Sequence, residues 1–226
     1  LLGLCLSLAA LSGCASKVYK TKALKEPNRF AVVSVTGLTT GFGMSEKEEI
    51  ELVTSVEKVI AKEFKRSKGF RLVDSSKVLR NRHYKDIKGE STDGLMTMKA
   101  AEGFKKFDVK ENKEAVASLR KDLNLTGVIQ VAASFAKKDS GMWLSGVLPI
   151  PIPVSAGSTV GEVTFSVAAL DENDEVVWQD TVTTETEDSI GTVMGVGNLS
   201  SLYPQLIDAA QAAANTAVND LNARVE

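Results

Sequence analysis

The sequence contains three side chains that could act as thiol nucleophiles or imidazole bases: Cys5, Cys14 and His83. A zinc site needs three or four Cys, His or carboxylate ligands brought together, so this set predicts no metal centre and no cofactor. His83 lies in the basic stretch 80–84, where an isolated histidine is more typical of the surface than of a catalytic base. We therefore expect no catalytic residue of this kind.

Carboxylates and glycine-rich segments offer the other possible chemistry. The acids at 171–175 separate two strand patterns, and those at 185–188 end a strand, where acidic residues favour turns and solubility. Segments 37–43 and 191–197 are rich in glycine but match neither a P-loop nor a dinucleotide site. The chain is thus predicted not to be an enzyme. The open alternative is a periplasmic ligand-binding or hydrolytic module that uses residues 37–43 and nearby carboxylates.

The residues around Cys14 carry the most specific signal. Residues 1–11, LLGLCLSLAAL, form an apolar run of signal-peptide length that is too short to cross a bilayer as a helix. Leu11, Ser12 and Gly13 then precede Cys14, and this tetrapeptide resembles the lipobox of bacterial lipoproteins. The resemblance implies a signal peptide over residues 1–13, truncated at its start, and an acylated Cys14 that carries chains such as palmitate. The alternatives are an ordinary secretory signal and a buried N-terminal strand.

Acylation of Cys14 leads to an expected location. Cys5 lies in the segment that would be removed, so the mature chain would contain no disulfide. Two or more acyl chains attach a protein stably, at about 0.8 kcal/mol per buried methylene. In Gram-negative bacteria, lipoproteins with Asp directly after the acylated cysteine stay at the inner membrane. Here that residue is Ala15. We therefore expect a lipid-anchored outer-membrane protein that faces the periplasm.

Residues 14–28 are predicted to form the lipidated cysteine and a short basic linker. Lysines outnumber its one acid, Glu26, and it ends at the turn signal Pro27-Asn28. A solvated tether is one interpretation, and contact with anionic lipid at about 1 kcal/mol per charge is the other. Some thirteen extended residues (17–29) reach at most about 45 Å. The domain is therefore expected to stay near the bilayer.

Residues 29–226 have the pattern of a single α/β domain facing the periplasm. A β-branched run at 29–37 predicts a buried strand, and a capping box of Ser45 and Glu48 predicts a helix that ends at Gly69. The further predicted elements are a strand at 70–73, a helix from 74 to about 84, a surface insertion at 85–112 with a helix at 93–104, a helix at 113–123, a strand at 125–135, a hairpin of strands 162–170 and 175–186, and a helix at 200–224. The predicted fold class is α/β, with a mixed sheet whose βαβα half precedes an antiparallel hairpin and a C-terminal helix.

Three features together resemble a known group of lipoproteins. The helix–strand junction at 119–130 reads LRKDLNLTGVIQ, the hairpin at 169–180 reads ALDENDEVVWQD, and the order is lipobox, buried strand, long helix and short FRLV strand. These features resemble the superfamily of the curli-secretion lipoprotein and the penicillin-binding-protein activator lipoproteins. That family has Leu-Gly-x-Asp at the junction, where this chain has residues 124–127, NLTG. The resemblance implies a non-catalytic interaction domain that often self-associates.

Residues 139–161, DSGMWLSGVLPIPIPVSAGSTVG, combine large apolar side chains with proline at alternate positions. Because each proline removes a backbone donor, the segment is predicted to be a loop or a sheet edge. It is either an apolar loop folded over its own core or an exposed contact for a partner protein or a membrane. The residues expected in such a contact are Met142, Trp143, Leu144, Leu148, Ile150 and Ile152.

Charge is spread unevenly along the chain. Residues 1–158 carry a net charge of +9 and residues 159–226 carry −11. Nucleic acid is not an expected partner of an exported chain with no net basic character. Opposed halves could steer self-association, and the alternative is that the acids lie on the solvent face of the hairpin and the C-terminal helix. We predict a non-enzymatic, membrane-anchored lipoprotein that acts through protein–protein contacts in an envelope assembly, including contacts between identical subunits. A ring-forming secretion channel subunit is the alternative, which the prolines in 139–161 and the charges in 85–112 disfavour.

Overall fold

The computed structural model describes residues 17–24, 27–40, 42, 44–87, 104, 107–143, 155–186, 190–193 and 202–225. These residues form seven strands and five helices. The strands are β1 (Val18–Tyr19), β2 (Arg29–Thr40), β3 (Arg71–Leu72), β4 (Gly127–Trp143), β5 (Ser155–Asp171), β6 (Val176–Glu185) and β7 (Ile190–Val193). The helices are α1 (Glu46–Phe64), α2 (Ser75–Arg80), α3 (Arg82–Asp86), α4 (Lys113–Leu123) and α5 (Tyr203–Val225).

The strands belong to one mixed sheet in the order β1-β6-β5-β4-β2-β3, and β7 pairs with the start of β5. β2 runs parallel to β3 and β4, whereas β4, β5, β6 and β1 are successively antiparallel. The predicted fold class is confirmed: a βαβα half precedes an antiparallel hairpin and a C-terminal helix. Among the described helices, none has the length and apolarity needed to cross a membrane.

Helix α1 begins as its sequence predicts. The side chain of Ser45 accepts a hydrogen bond from the backbone of Glu48, and the Glu48 carboxylate accepts one from the backbone of Ser45 at 2.8 Å, which completes the capping box. Phe64, in its last turn, packs against Phe165 of β5 and Trp178 of β6, with ring centroids 6.3 and 5.5 Å apart. Helix α5 contacts α1, β5 and β6. The two long helices therefore enclose the aromatic core on the same side of the sheet.

The junction between α4 and β4 depends on two special backbone positions. Asn124 ends α4 with φ of 50°, a left-handed conformation that asparagine tolerates better than most residues. At Gly127 a Cβ atom would lie 2.2 Å from Cε1 of Phe30 and 2.5 Å from the carbonyl oxygen of Leu170. The NLTG sequence of this junction thus provides a left-handed cap and then a position where only glycine fits.

Two predictions about the N-terminal half require correction. A solvated tether was one interpretation of the linker, but Val18 and Tyr19 pair with β6 and Leu24 is fully buried. The Gly-rich segment 37–43 was expected to be a loop, but its first half continues β2 to Thr40. In both places a neighbouring strand pairs with the backbone, which the local sequence does not reveal.

Strands β4 and β5 are much longer than the predicted 125–135 and 162–170. They pair without interruption from Gly127 with Asp171 to Trp143 with Ser155, 17 residues on each side. The insertion at 85–112 was expected at the surface, but its described end is buried through Phe104, Phe107 and Val109. The predicted helix at 93–104 lies outside the described residues, apart from Phe104.

Candidate functional site

The N-terminal segment is held to the domain by a group of charged and aromatic side chains around Asp180. Strand β1 pairs with the first half of β6, which places Tyr19 and Lys17 next to Asp180. The Tyr19 hydroxyl donates to Asp180 Oδ2 at 2.7 Å, and Lys17 Nζ lies 3.1 Å from Asp180 Oδ1. We call Lys17, Tyr19, Asp180, Asp220 and Arg224 the Asp180 cluster.

Helix α5 supplies the other two members of the Asp180 cluster. Lys17 Nζ donates to Asp220 Oδ2 at 2.8 Å, and the Arg224 guanidinium lies 5.0 Å from the centroid of the Tyr19 ring. The hydrogen bond to Asp220 is the main reason why the pKa of Lys17 is raised. Burial, and then the hydrogen bond to Asp180, raise the pKa of Tyr19, so its hydroxyl stays protonated and continues to donate. The segment from Lys17 onward is thereby attached to both sheet and helix.

Asp180 explains why this attachment is needed. Its side chain is inaccessible to solvent, and a buried carboxylate is costly unless donors surround it. One donor is local, the backbone of Thr181 at 2.8 Å. The other two, Tyr19 and Lys17, come from the N-terminal segment, so the domain and the segment complete each other.

Sequence reasoning missed Asp180, although a signal was present. On the alternating strand β6, Asp180 shares a face with Trp178 and Val182. An acid among apolar residues on a core-facing side predicts a buried carboxylate that needs partners.

The far end of the sheet is a hairpin that extends past its neighbours. β2 ends where Thr40 pairs with Ala136, and β6 ends where Glu185 pairs with Glu162. Residues 137–143 of β4 and 155–161 of β5 continue beyond these points, with β7 alongside β5. We call these two strand ends the extended hairpin. At about 3.4 Å per residue, its β4 side runs some 24 Å past the end of β2.

The extended hairpin carries the start of the predicted contact segment. The backbones of Met142 and Trp143 pair with Ala156 and Ser155. Along residues 137–143 the described neighbour of β4 is β5 alone, as a sheet edge requires, whereas residues 156–159 of β5 pair on both sides. The prediction of a loop or an edge is therefore wrong for this part of β5. Leu144, Leu148, Ile150 and Ile152 lie outside the described residues, as does Cys14.

The candidate catalytic groups do not converge. His83 Nε2 lies 3.5 Å from Asp122 Oδ2 and 3.3 Å from Arg82 Nε, in a surface group of charges. Asp171 accepts backbone hydrogen bonds within its own turn, and Asp174 pairs with Arg120 at 2.9 Å. Over the described ranges, no group of three His, Cys, Asp or Glu residues could hold a metal ion.

Together with Asp74, Glu57 lines a narrow cleft between α1 and β3. Its Oε1 accepts a hydrogen bond from the backbone of Phe104 at 2.9 Å, and burial raises its pKa. Asp74 Oδ1 accepts a hydrogen bond from the backbone of Ser76 at 2.9 Å, so both carboxylates of this cleft bind backbone groups rather than being placed as the acid and base that hydrolysis requires. The arrangement of Glu57 fits a structural role in holding residue 104.

Replacing Glu57→Gln is expected to stabilise the fold, and more so at neutral than at acidic pH. A carboxyl with a raised pKa favours folding below its unfolded-state pKa and loses that contribution as the pH rises through the folded-state value. Gln keeps the acceptor for Phe104 without a charge. Urea denaturation of both proteins at about pH 4 and pH 7 measures the difference. A stabilisation that is equal at the two pH values, or larger at the lower one, would contradict this assignment.

Comparison with known proteins gives likenesses of structure only. No protein-family model and no curated protein matches the chain. It is similar to a neuraminyllactose-binding hemagglutinin homolog from Helicobacter pylori, with a TM-score of 0.49, 9% identity, and coverage of 89% of each chain. It is also similar to the LpoB C-terminal domain from Salmonella enterica, with a TM-score of 0.34, 9% identity, and coverage of 74% of this chain and 95% of that one. Lipoprotein GNA1162 from Neisseria meningitidis gives a TM-score of 0.34 and 14% identity, and the match covers 85% of this chain and 99% of the other.

Proposed function

We propose that this chain is a non-enzymatic lipoprotein, anchored to the outer membrane through acylated Cys14, that acts by protein contacts in a periplasmic envelope assembly. The observation that carries the proposal is the Asp180 cluster, which fixes the chain to the domain from Lys17 onward. If the residues before it carry a lipid anchor, an N-terminal segment that pairs with the sheet holds the domain close to the membrane.

The Asp180 cluster shortens the distance between anchor and domain. Cys14 precedes Lys17 by three residues, so their Cα atoms are at most about 11 Å apart. A free linker from 17 to 29 would instead allow about 45 Å. Acyl chains on Cys14 would therefore hold this part of the domain against the lipid headgroups.

The extended hairpin, rather than the linker, extends the protein away from its anchored end. Tyr19 pairs with Trp178, which pairs with Ala169, and from there β5 runs back to Ser155. Fourteen residues of strand span on the order of 45 Å. The apolar residues 144–154 connect the two strand ends at that distance, and we propose that they contact an envelope protein, which includes a second copy of this chain.

Site-specific photocrosslinking in cells tests this contact. A benzoylphenylalanine at position 143 is expected to give a crosslink to an envelope protein or to a second copy, because β4 ends there. The same probe at Glu114, an exposed position on α4, serves as the control and is expected to give no discrete product. Equal crosslinking at both positions, or none at 143, would contradict the proposed contact.

A ring-forming secretion channel subunit is the second candidate, favoured by the length of the β4–β5 hairpin. Liposomes that carry the purified protein distinguish the two. Ion passage would support a channel, and tight liposomes would support the contact function.

A further inference from the structure

Two arginines lie side by side at the start of the parallel strands β2 and β3. Arg29 and Arg71 are register partners, so their Cα atoms are about 4.8 Å apart and their side chains leave the same face of the sheet. Like charges in such a pair destabilise the sheet unless something neutralises them. A negatively charged partner would therefore relieve the repulsion between Arg29 and Arg71.

The backbone holds the two arginines in a fixed arrangement. Arg29 exchanges hydrogen bonds with Thr126: its backbone NH donates to Thr126 Oγ1 at 2.9 Å, and its carbonyl accepts from the Thr126 backbone at 2.8 Å. The NH of Arg71 donates to the carbonyl of Asn28 at 2.7 Å. The spacing of the pair is thus built into the sheet before any ligand arrives.

The two arginines line an open cleft of about 320 Å³ together with Leu72, Val73, Asp74 and Lys77. The Nε atom of Arg29 is buried and has no hydrogen-bond partner within the described ranges. Arg120 also has unpartnered buried nitrogens, but its Nη1 is paired with Asp174 Oδ1 at 2.9 Å, whereas the described residues provide no ion pair for Arg29. Arg29 thus lines the cleft and contains a buried donor whose hydrogen-bonding capacity is not used within the described residues.

The one acid of this cleft does not neutralise it. Asp74 Oδ1 accepts a hydrogen bond from the backbone of Ser76 at 2.9 Å, which caps α2. Hydrogen bonds from the Ser76 side chain and then from its backbone, with smaller effects of Lys65 and Lys77, lower the pKa of Asp74. The cleft contains three cationic side chains and one carboxylate, which caps α2. Its net charge is therefore positive.

We propose that the cleft of Arg29, Arg71 and Lys77 binds a phosphate group. Guanidinium groups bind phosphate oxygens through paired hydrogen bonds, and a phosphate dianion balances the net charge of +2 left by three cations and one carboxylate, whereas a diester balances half of it. The phosphate belongs either to an anionic lipid headgroup or to a soluble phosphate compound, because the cleft is open to both. This site is separate from the Asp180 cluster and from the extended hairpin.

The test uses the chain from residue 14 onward with Cys14→Ser, which contains every described element. Inorganic phosphate is titrated into it while the Arg29 Nε–Hε signal is followed by NMR. We expect a saturable shift of that signal, and Arg71→Ala should weaken phosphate binding at least about tenfold, the loss expected for one charge-assisted hydrogen-bonded pair. Lys113→Ala removes the same charge from an exposed position on α4 and is expected to leave binding unchanged.

Vesicle binding then identifies the source of the phosphate. The site would be assigned to a lipid headgroup if the protein prefers phosphatidylglycerol vesicles to phosphatidylcholine vesicles and if Arg71→Ala abolishes this preference. Binding of inorganic phosphate without vesicle binding would assign it to a soluble compound. The proposal is overturned if the parent chain shows no saturable shift, or if Arg71→Ala and Lys113→Ala weaken binding equally.

Discussion

Changing Cys14→Ser is expected to transfer the protein from the membrane fraction to the soluble periplasmic fraction. Serine cannot form the thioether that carries the lipid, and losing two or more acyl chains lowers membrane partition by at least about 100-fold, since each buried methylene contributes about 0.8 kcal/mol. The fold should be unchanged, because the first described strand begins at Val18. Fractionation of cells followed by immunoblotting measures the redistribution.

Cys5→Ser is the matched control for this experiment. It makes the same chemical change nine residues earlier, inside the proposed signal peptide, and should leave the protein in the membrane fraction. If Cys14→Ser stays with the membranes, attachment occurs through another part of the chain, and the apolar residues 144–154 become the first candidates.

Changing Asp180→Ala is expected to destabilise the domain by about 2–3 kcal/mol, the range for removing a buried charged acceptor with several donors. The Tyr19 hydroxyl and the Thr181 backbone both lose their acceptor, and Lys17 keeps only Asp220. The N-terminal segment should then separate from β6. Urea denaturation measures the stability, and trypsin cleavage after Lys17 and Lys20 in the folded protein reports the separation.

Asp220→Ala provides the control, because it removes the other carboxylate bound to Lys17. The Asp220 side chain is 44% exposed, so its ion pair is expected to contribute less than about 1 kcal/mol. Equal losses for the two variants would show that the burial of Asp180 does not determine the attachment of the segment.

The sequence predicted those elements whose signals are local. Helix α4 has the predicted bounds, 113–123, and the capping box of Ser45 is present. The turn between β5 and β6 lies where the acidic residues 171–175 predict it, and Asp174 has a left-handed conformation. Each of these depends on contacts between residues close in the chain, which is why pattern and residue type were sufficient.

The elements that were missed depend on partners distant in the chain. β1 is two residues long and lies in a lysine-rich stretch, so no alternation marks it, and β6 provides its hydrogen bonds. The end of β4, KKDSGMW, has little β-propensity, but its backbone pairs with β5 throughout. Among the candidate contact residues, the structure describes the backbones of Met142 and Trp143, which lie at the end of β4. Acylation of Cys14 stays a prediction.

Energy transfer between the domain and the bilayer tests the central claim most directly. The acylated protein with Ala223→Cys carries a dye at an exposed position one turn from Asp220, and proteoliposomes carry an acceptor on their lipid headgroups. If acylated Cys14 and the Asp180 cluster hold the domain against the membrane, energy transfer from position 223 should be high and should fall when Asp180→Ala is added. Transfer that is low in the parent protein, or unchanged by Asp180→Ala, would contradict the account.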